Sequence, residues 1–156
     1  RRVEVPVDED ATLMKTSVKL DNNLIENWDG FGEAMGSLLS DPRRLDFLDL
    51  SCNKVTEVGA PLAEYKSLTV LYLHGNQIAN FKDLRALKQL TELRKLTLHG
   101  NPVEAKKNYR LTVINALPKL KQLDFTPITA LDRDKAETYG ERQRRQREVQ
   151  RESEGY

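Results

Sequence analysis

Leucine and other aliphatic residues recur along the middle of the chain in a fixed pattern. The template L-x-x-L-x-L-x-x-N-x-L fits three segments, which begin at Leu45, Leu68 and Leu93. Within each segment the x-L-x-L stretch alternates apolar and polar positions, as a short strand with one buried face does. The pattern therefore predicts three short strands, each followed by an Asn residue and a turn.

Two further copies of the template are incomplete. A weaker copy lies upstream and contains Val18, Leu20, Asn23 and Ile25, and a decayed copy downstream contains Leu120, Leu123 and Phe125. A pattern that repeats every 20 to 30 residues is typical of solenoids, in which each coil buries its apolar face against the next. We therefore expect an α/β, right-handed solenoid of about five repeats with parallel strands on its concave face.

The asparagines of the template are predicted to form a structural row. Asn23, Asn53, Asn76 and Asn101 are spaced 30, 23 and 25 residues apart, each where the chain leaves a strand. An amide side chain there can satisfy backbone groups of adjacent coils that the strand ladder no longer reaches. This structural role accounts for the four asparagines, so no catalytic or ligand-binding role is needed to explain them.

The connectors between strands predict helices or irregular turns on the convex side. Apolar residues recur at helical spacing in the first long connector and at every third position in a later one. These residues are Phe31, Met35, Leu38 and Leu39, and then Phe81, Leu84, Leu87 and Leu90. Trp28, in the first connector, is expected to fill the core of the first coil rather than to bind a ligand.

The C-terminal part of the chain divides into a cap and a charged tail. Tyr109, Val113, Ile114 and Leu117 predict an amphipathic helix that ends before Pro118. We assign 1–12 to an N-terminal arm, 13–130 to the repeat domain with its cap, and 131–156 to a charged helical tail. The tail arginines, which we expect to contact an acidic surface, are Arg142, Arg144, Arg145 and Arg147.

The outward-facing strand residues form the candidate partner-binding surface. The concave face is the usual docking surface of a solenoid, and exposed aromatic side chains often anchor interfaces. The candidate residues are Phe47, Asp49, Val70, Tyr72, His74, Lys95, Thr97 and His99.

The histidines are expected to stack rather than to hold a metal. His74 and His99 occupy the same outward position in adjacent repeats, and neighbouring strands lie about 4.8 Å apart. A metal site needs three or four ligands, and Ser51 and Thr126 in the same column are poor ones. Because the chain also lacks a phosphate-binding glycine loop, paired catalytic carboxylates and a triad, we expect no metal, no cofactor, no small-molecule substrate and no enzymatic activity.

Charge and cysteine content limit the classes of partner and the cellular compartment that we expect for the chain. The chain of 156 residues carries 25 basic and 24 acidic residues, so no global field favours nucleic acid or a membrane. No apolar run approaches the length of a membrane span. The only cysteine, Cys52, cannot form an internal disulfide, which favours a reducing compartment.

The motif Tyr109-Arg110-x-x-Val113, followed by Leu117-Pro118 and ending at Asp124, resembles the C-terminal cap of short intracellular leucine-rich repeat proteins. Together with the two Leu-His-Gly-Asn segments, residues 13 to 138 resemble the family of leucine-rich repeat-containing protein 51, which is linked to motile cilia. The resemblance implies a cytoplasmic scaffold or adaptor of the cilium or flagellum axoneme. Its expected partners are axonemal proteins, tubulin or microtubules, or dynein-associated components. A regulatory subunit of a dynein motor or a protein phosphatase is the alternative.

Overall fold

The structure is a computed structural model that describes residues 14–155. The expected N-terminal arm, 1–12, lies outside the described residues.

The described residues form one sheet whose strands follow each other in chain order. Its six strands are β1 (Thr16–Lys19), β2 (Leu45–Asp49), β3 (Val70–Tyr72), β4 (Lys95–Thr97), β5 (Gln122–Leu123) and β6 (Thr126–Pro127). The first five are parallel, and β6 turns back antiparallel to β5. Parallel strands that are neighbours in chain order need a crossover between each pair, and the chain thus winds into the α/β, right-handed solenoid expected from the repeat.

The core is a row of leucines contributed by the strand centres. Leu48, Leu71, Leu96 and Leu123 are partners in register across β2 to β5, and none is more than 1% exposed. Burial of each such side chain stabilises the fold by about 1.5–3 kcal/mol. Since each leucine packs on those of the neighbouring coils, the repeats support one another.

The first connector contains helix α1 (Phe31–Leu38). Its buried side chains Phe31 and Met35, with Leu39 just beyond the helix, follow one face at every fourth position. Leu38, which we expected on the same face, lies away from the core and is 40% exposed. The reason is geometric: a side chain one position from Leu39 is rotated by about 100° around the helix.

Each of the four connectors between the parallel strands contains one 3₁₀ helix. These helices span Pro42–Arg44, Ala60–Glu64, Phe81–Gln89 and Pro102–Ala105. The longest of them buries Leu84 and Leu87, and Leu90 follows at the same interval. Because a 3₁₀ helix has three residues per turn, the every-third-position pattern places these leucines on one face.

Trp28 packs at the edge of the first coil. Its ring lies edge-to-face against Phe31, with centroids 5.0 Å apart, and its Nε1 donates to the Glu57 carbonyl at 2.9 Å. The ring crosses the buried Gly59, where an added Cβ would lie 2.4 Å from the indole. The tryptophan thus joins the first two coils.

The C-terminal part contains the cap helix α2 (Tyr109–Ala116) and the tail helix α3 (Ala130–Glu154). Thr129 starts α3 with a capping box, since its side chain accepts from the Asp132 N–H while the Asp132 carboxylate accepts from the Thr129 N–H. Ala136 and Gly140 are buried in the contact with α2, whereas 144–155 are exposed. Small residues at this crossing let the two helices approach closely.

Arg133 joins α3 to the end of α2. Its guanidinium donates to the backbone carbonyls of Ile114 and Leu117, at 2.6 and 3.1 Å, and to that of Leu120. The Ile114 and Leu117 carbonyls also accept the N–H groups of Leu117 and Leu120, at 3.3 and 3.1 Å, so Arg133 adds a second donor where the helical bonding of α2 ends. Burial lowers the pKa of Arg133, and the carbonyl oxygens supply the hydrogen-bond acceptors that its charge needs.

Candidate functional site

The strands present two regular columns of side chains on the concave face. Phe47, Val70, Lys95 and Gln122 are partners in one register, and Asp49, Tyr72 and Thr97 are partners in the other. Because strand residues alternate sides, these columns point away from the leucine core.

Five aromatic rings on this face lie in contact with one another, and we call them the aromatic strip. They are Phe47, Tyr72, His74, His99 and Phe125. The Phe47 and Tyr72 rings meet edge-to-face with centroids 5.0 Å apart, and Tyr72 meets Phe125 in the same way at 5.3 Å. The strip is therefore one connected surface rather than scattered aromatic residues.

Phe125 belongs to the strip, although the sequence pattern placed this residue elsewhere. We expected it inside the last coil, at a leucine position of the decayed repeat. Instead the backbone turns at Asp124 and Phe125, which both have positive φ (52° and 62°), and the Phe125 side chain is 51% exposed. This turn starts the β5–β6 hairpin and lays the ring over the concave face, so the inward assignment was wrong.

The two histidines stack on each other. Their ring centroids lie 4.6 Å apart with an angle of 6° between the planes. Phe125 lies against both rings, at centroid distances of 5.8 Å from His74 and 5.6 Å from His99. The histidines occupy equivalent positions in successive repeats. The spacing between neighbouring strands therefore brings their rings into contact.

Hydrogen bonds assign a different tautomer to each histidine. Thr97 Oγ1 accepts from the backbone N–H groups of Leu73 and His74, at 3.1 and 3.3 Å, which uses both of its lone pairs. Its hydroxyl proton is then left to donate to His74 Nδ1, 2.7 Å away. We therefore assign the ring proton of neutral His74 to Nε2.

His99 takes the opposite assignment. Its Nδ1 lies 3.3 Å from Asp124 Oδ1, and a carboxylate only accepts hydrogen bonds. The His99 proton is consequently on Nδ1, which leaves Nε2 as an acceptor. Among residues 14–155, no buried side-chain nitrogen or oxygen lacks a partner, so the unpaired Nε2 atom of half-buried His74 is open to solvent. The strip thus combines aromatic surface with a hydrogen-bond donor and an acceptor.

The position of His74 lowers its pKa below the usual value. Burial is the largest cause and the adjacent His99 is the next, while the carboxylates of Asp49, Asp124 and Asp21 act in the opposite direction. The balance favours the neutral ring near pH 7.

Asp124 fixes the end of the strip. Its Oδ1 accepts from the backbone N–H groups of Leu98 and His99, at 2.6 and 3.0 Å, and its Oδ2 accepts from the Tyr109 hydroxyl at 2.7 Å. Burial, followed by this hydrogen bond, raises the pKa of Tyr109 well above its usual value. The Tyr and Asp positions of the cap motif are therefore a bonded pair that holds α2 against the last coil.

The other candidate concave residues differ in accessibility. Lys95 is exposed, and Val70 and Asp49 are half-buried. Thr97 is only 1% exposed, so our expectation that it contacts a partner is wrong. Its hydroxyl donates to the His74 ring, so Thr97 holds that histidine in position instead.

The predicted asparagine positions form a row beside the sheet. Asn53, Asn76 and Asn101 are buried, and each donates from Nδ2 to leucine carbonyls of its own coil and of the preceding coil. Each Oδ1 also accepts a backbone N–H of the preceding coil. The side chain of Asn23, at the exposed end of the row, donates only to carbonyls of its own turn.

The residue before each of these asparagines takes the left-handed conformation. The four positions are Asn22, Cys52, Gly75 and Gly100, with φ between 55° and 71°. A Cβ at Gly100 would lie 3.1 Å from the Gly75 backbone nitrogen, which explains the glycine in the second Leu-His-Gly segment. Cys52 holds the same conformation with an exposed side chain.

The tail arginines lie on α3, away from the strip. All four of the predicted contacts, Arg142, Arg144, Arg145 and Arg147, are exposed. Arg144 lies beside Asn115 and Pro118, and Arg147 faces the Phe81–Gln89 helix. The two predicted contact regions are therefore separate surfaces.

The described residues contain neither a cluster of metal ligands nor a helix suited to span a membrane. Among residues 14–155, no three His, Cys, Asp or Glu side chains cluster closely enough to hold a metal ion. None of the helices there combines the length and the apolar character needed to cross a membrane.

Comparison with known proteins agrees with this architecture and confirms the expected resemblance. Leucine-rich repeat-containing protein 51 of Bos taurus is 40% identical over 126 residues, which is 81% of this chain and 66% of that protein. The protein of the same name from Homo sapiens is 39% identical over 79% of this chain and 64% of its own length. The match therefore spans just under two thirds of these relatives.

Solved structures share the fold. A chain in the crystal structure of the Drosophila melanogaster SNF/U2A′ complex superimposes with a TM-score of 0.64 and 28% identity, covering 77% of this chain and 78% of that one. The leucine-rich repeat domain of Mex67 from Chaetomium thermophilum gives 0.60 and 26%, covering 74% and 87%. The family model described as "Leucine-rich repeat" matches residues 14–152. The chain therefore belongs to the leucine-rich repeat family, whose fold is typically a non-catalytic protein-interaction module.

Proposed function

We propose that the protein is a non-catalytic scaffold or adaptor of the cilium or flagellum axoneme, which docks a partner protein on its concave face. The observation that carries this proposal is the aromatic strip. Connected aromatic side chains on a solvent-facing surface are typical anchors of protein interfaces, because they bury large apolar areas when a partner covers them.

The support beneath the strip favours a fixed docking surface. Phe47, Tyr72 and His74 project from the sheet or from its end, and Phe125 is held by the turn that Asp124 bonds in place. A surface that is ordered before binding loses little conformational entropy when the partner arrives. The exposed Nε2 atoms of the histidines add directional hydrogen bonds to the apolar contact.

The axonemal setting rests on the similarity to leucine-rich repeat-containing protein 51. In this setting the partners are other axonemal proteins or microtubules. The tail arginines Arg142, Arg144, Arg145 and Arg147 would meet an acidic surface such as tubulin. The protein would then be a cytoplasmic component of the cilium that joins two structures through two separate surfaces.

Sedimentation with salt-washed axonemes tests the proposal. We expect the full chain to sediment with axonemes and the Phe47→Asp/Tyr72→Ala double variant to stay in the supernatant with its fold intact. Leu38→Asp is the matched control, because Leu38 is also exposed but lies on the convex side. Equal sedimentation of the double variant would contradict docking through the strip. Binding only to the motor proteins or phosphatases in the salt extract would favour the regulatory-subunit alternative.

A further inference from the structure

A second surface lies on the convex side, where the last repeat meets the cap. A groove of about 360 Å³ runs between the Phe81–Gln89 helix and α2, with α3 passing over one end. Its floor is formed by Leu84, Leu87, Val113, Ala116 and Leu117. A smaller cavity of about 130 Å³ continues it towards Pro118 and shares Leu87, Ala116 and Leu117. Together they form one apolar trough with two deep positions.

The charges around this trough all have the same sign. The exposed cations are Lys82, Arg85, Lys88, Lys119 and Arg147. No acidic residue lines either cavity, and among residues 14–155 none of these five cations forms a salt bridge. The nearby Asp83 carboxylate is used in the capping box, where it accepts from the Asn80 N–H at 3.2 Å.

We propose that this trough binds an acidic peptide segment that carries at least two apolar side chains. The apolar side chains enter the two deep positions, and the carboxylates of the segment meet the basic rim. Charge complementarity selects the sign of the partner, because an uncharged or basic segment would leave the five cations uncompensated. The binding is separate from the concave face and does not depend on what docks there.

The floor of the trough favours a peptide over a nucleic acid. Single-stranded nucleic acids bind by stacking their bases on aromatic side chains along a basic groove. Here the floor is aliphatic, and Phe81 at one end is the only aromatic residue among those lining the two cavities. Leucine, valine and alanine side chains instead accept apolar side chains of a protein segment.

Fluorescence anisotropy with synthetic peptides tests this inference. The probes are labelled peptides of about twelve residues made of Glu and Leu, with the leucines two, three or four positions apart to suit a strand or a helix. We expect at least one probe to bind the full chain, and we expect replacement of its leucines by Gln to weaken binding about tenfold or more. The Arg85→Glu/Lys88→Glu variant should also lose about tenfold in affinity, whereas Lys54→Glu, a charge reversal outside the trough, should not.

Four results would overturn the inference. They are no binding by any probe, equal binding of the Gln peptide, unchanged affinity of the Arg85→Glu/Lys88→Glu variant, and tighter binding of a labelled oligouridylate. The chain's own acidic N-terminal residues are the competing occupant. If neutralising Glu4, Asp8, Glu9 and Asp10 to their amides in the full chain strengthened probe binding about tenfold, the trough would be an intramolecular site rather than a partner site.

Discussion

The buried asparagines connect the coils where the strand ladder ends. Asn76 Oδ1 accepts the Val55 N–H at 3.0 Å, and its Nδ2 donates to the carbonyls of Leu50 and Leu73 at 2.9 Å each. These partners belong to two coils and are buried, so water cannot replace the amide. The row is thus part of what holds one repeat on the next.

We predict that Asn76→Ala lowers the free energy of unfolding by about 2–3 kcal/mol, because it leaves the buried Val55 N–H unpaired and removes one of the two amide donors from each of the Leu50 and Leu73 carbonyls. Urea denaturation followed by circular dichroism measures this change. Asn23→Ala is the matched control at the exposed end of the row, where a loss below about 1 kcal/mol is expected. Similar losses at both positions would show that the row does not connect the coils.

The histidine pair makes stability depend on pH. Burial and His99 lower the pKa of His74 in the folded chain, so the unfolded chain binds more protons between that value and about 6.5. Stability is therefore lost as the pH falls from about 6.5 towards the folded-state pKa.

We predict that lowering the pH from about 7.5 to about 5.5 reduces the free energy of unfolding more in the wild type than in the His74→Gln variant. Urea denaturation at several pH values checks this, and NMR titration of the His74 ring should give a pKa below 6.5. A ring pKa above that value, or identical slopes for the two proteins, would rule out the proposed effect.

The repeat pattern predicts the burial of some side chains but not of others. Leu48, Leu71 and Leu96 were predictable, because a strand with one buried face alternates and the template marks the buried positions. Phe125 was not, since its position depends on positive φ at two non-glycine residues that break the template. The burial of Thr97 was not predictable either, because it sits in an outward-facing column and its hydroxyl bonds to His74 of the neighbouring coil.

The connectors show which longer features sequence periodicity can identify. A three-residue period predicts the buried face of the Phe81–Gln89 segment, but the α-helical and 3₁₀ alternatives share this short pattern. What decides between them is the distance the connector must span between successive strands. The close contact between Trp28 and Gly59, 31 positions apart, has no local signal at all.

We predict that Gly59→Ala destabilises the fold by about 1–3 kcal/mol, because the added methyl group collides with the Trp28 ring. Trp28 is the only tryptophan, so its fluorescence emission should also shift to longer wavelength as the ring is displaced. Gly36→Ala is the control, since nothing lies within 4 Å of that position. It should stabilise α1 by about 0.5–1 kcal/mol without changing the emission. An unshifted Gly59→Ala spectrum would contradict the packing of Trp28.

The tail helix α3 packs on α2 through Arg133, two small residues and an ion pair between Arg110 and Asp132. We predict that Arg133→Gln costs about 1.5–3 kcal/mol, because charged hydrogen bonds to the α2 carbonyls are lost. Hydrogen exchange in 131–143 should become faster as the contact between α2 and α3 loosens. Arg142→Gln, at an exposed position on the same helix, should leave exchange unchanged. Equal exchange in both variants would mean that α3 is held by other contacts.

At the scale of the whole molecule, the two proposed contact surfaces lie on opposite sides of the solenoid. The aromatic strip lies on the concave sheet, and the basic trough lies among the convex connectors and the cap. A protein with this arrangement can hold two partners at once without moving any part of its core, because the coils between them are packed on one leucine row. This is the physical basis for a scaffold rather than a switch.

Site-specific photo-crosslinking of the full chain on axonemes decides whether the concave face is the docking surface. The photoreactive amino acid benzoylphenylalanine would replace Tyr72, Phe125 or, on the convex side, Leu38. We predict discrete crosslinks to an axonemal protein from Tyr72 and Phe125 and none from Leu38. Crosslinks from Leu38 with none from the two concave positions would contradict docking through the aromatic strip.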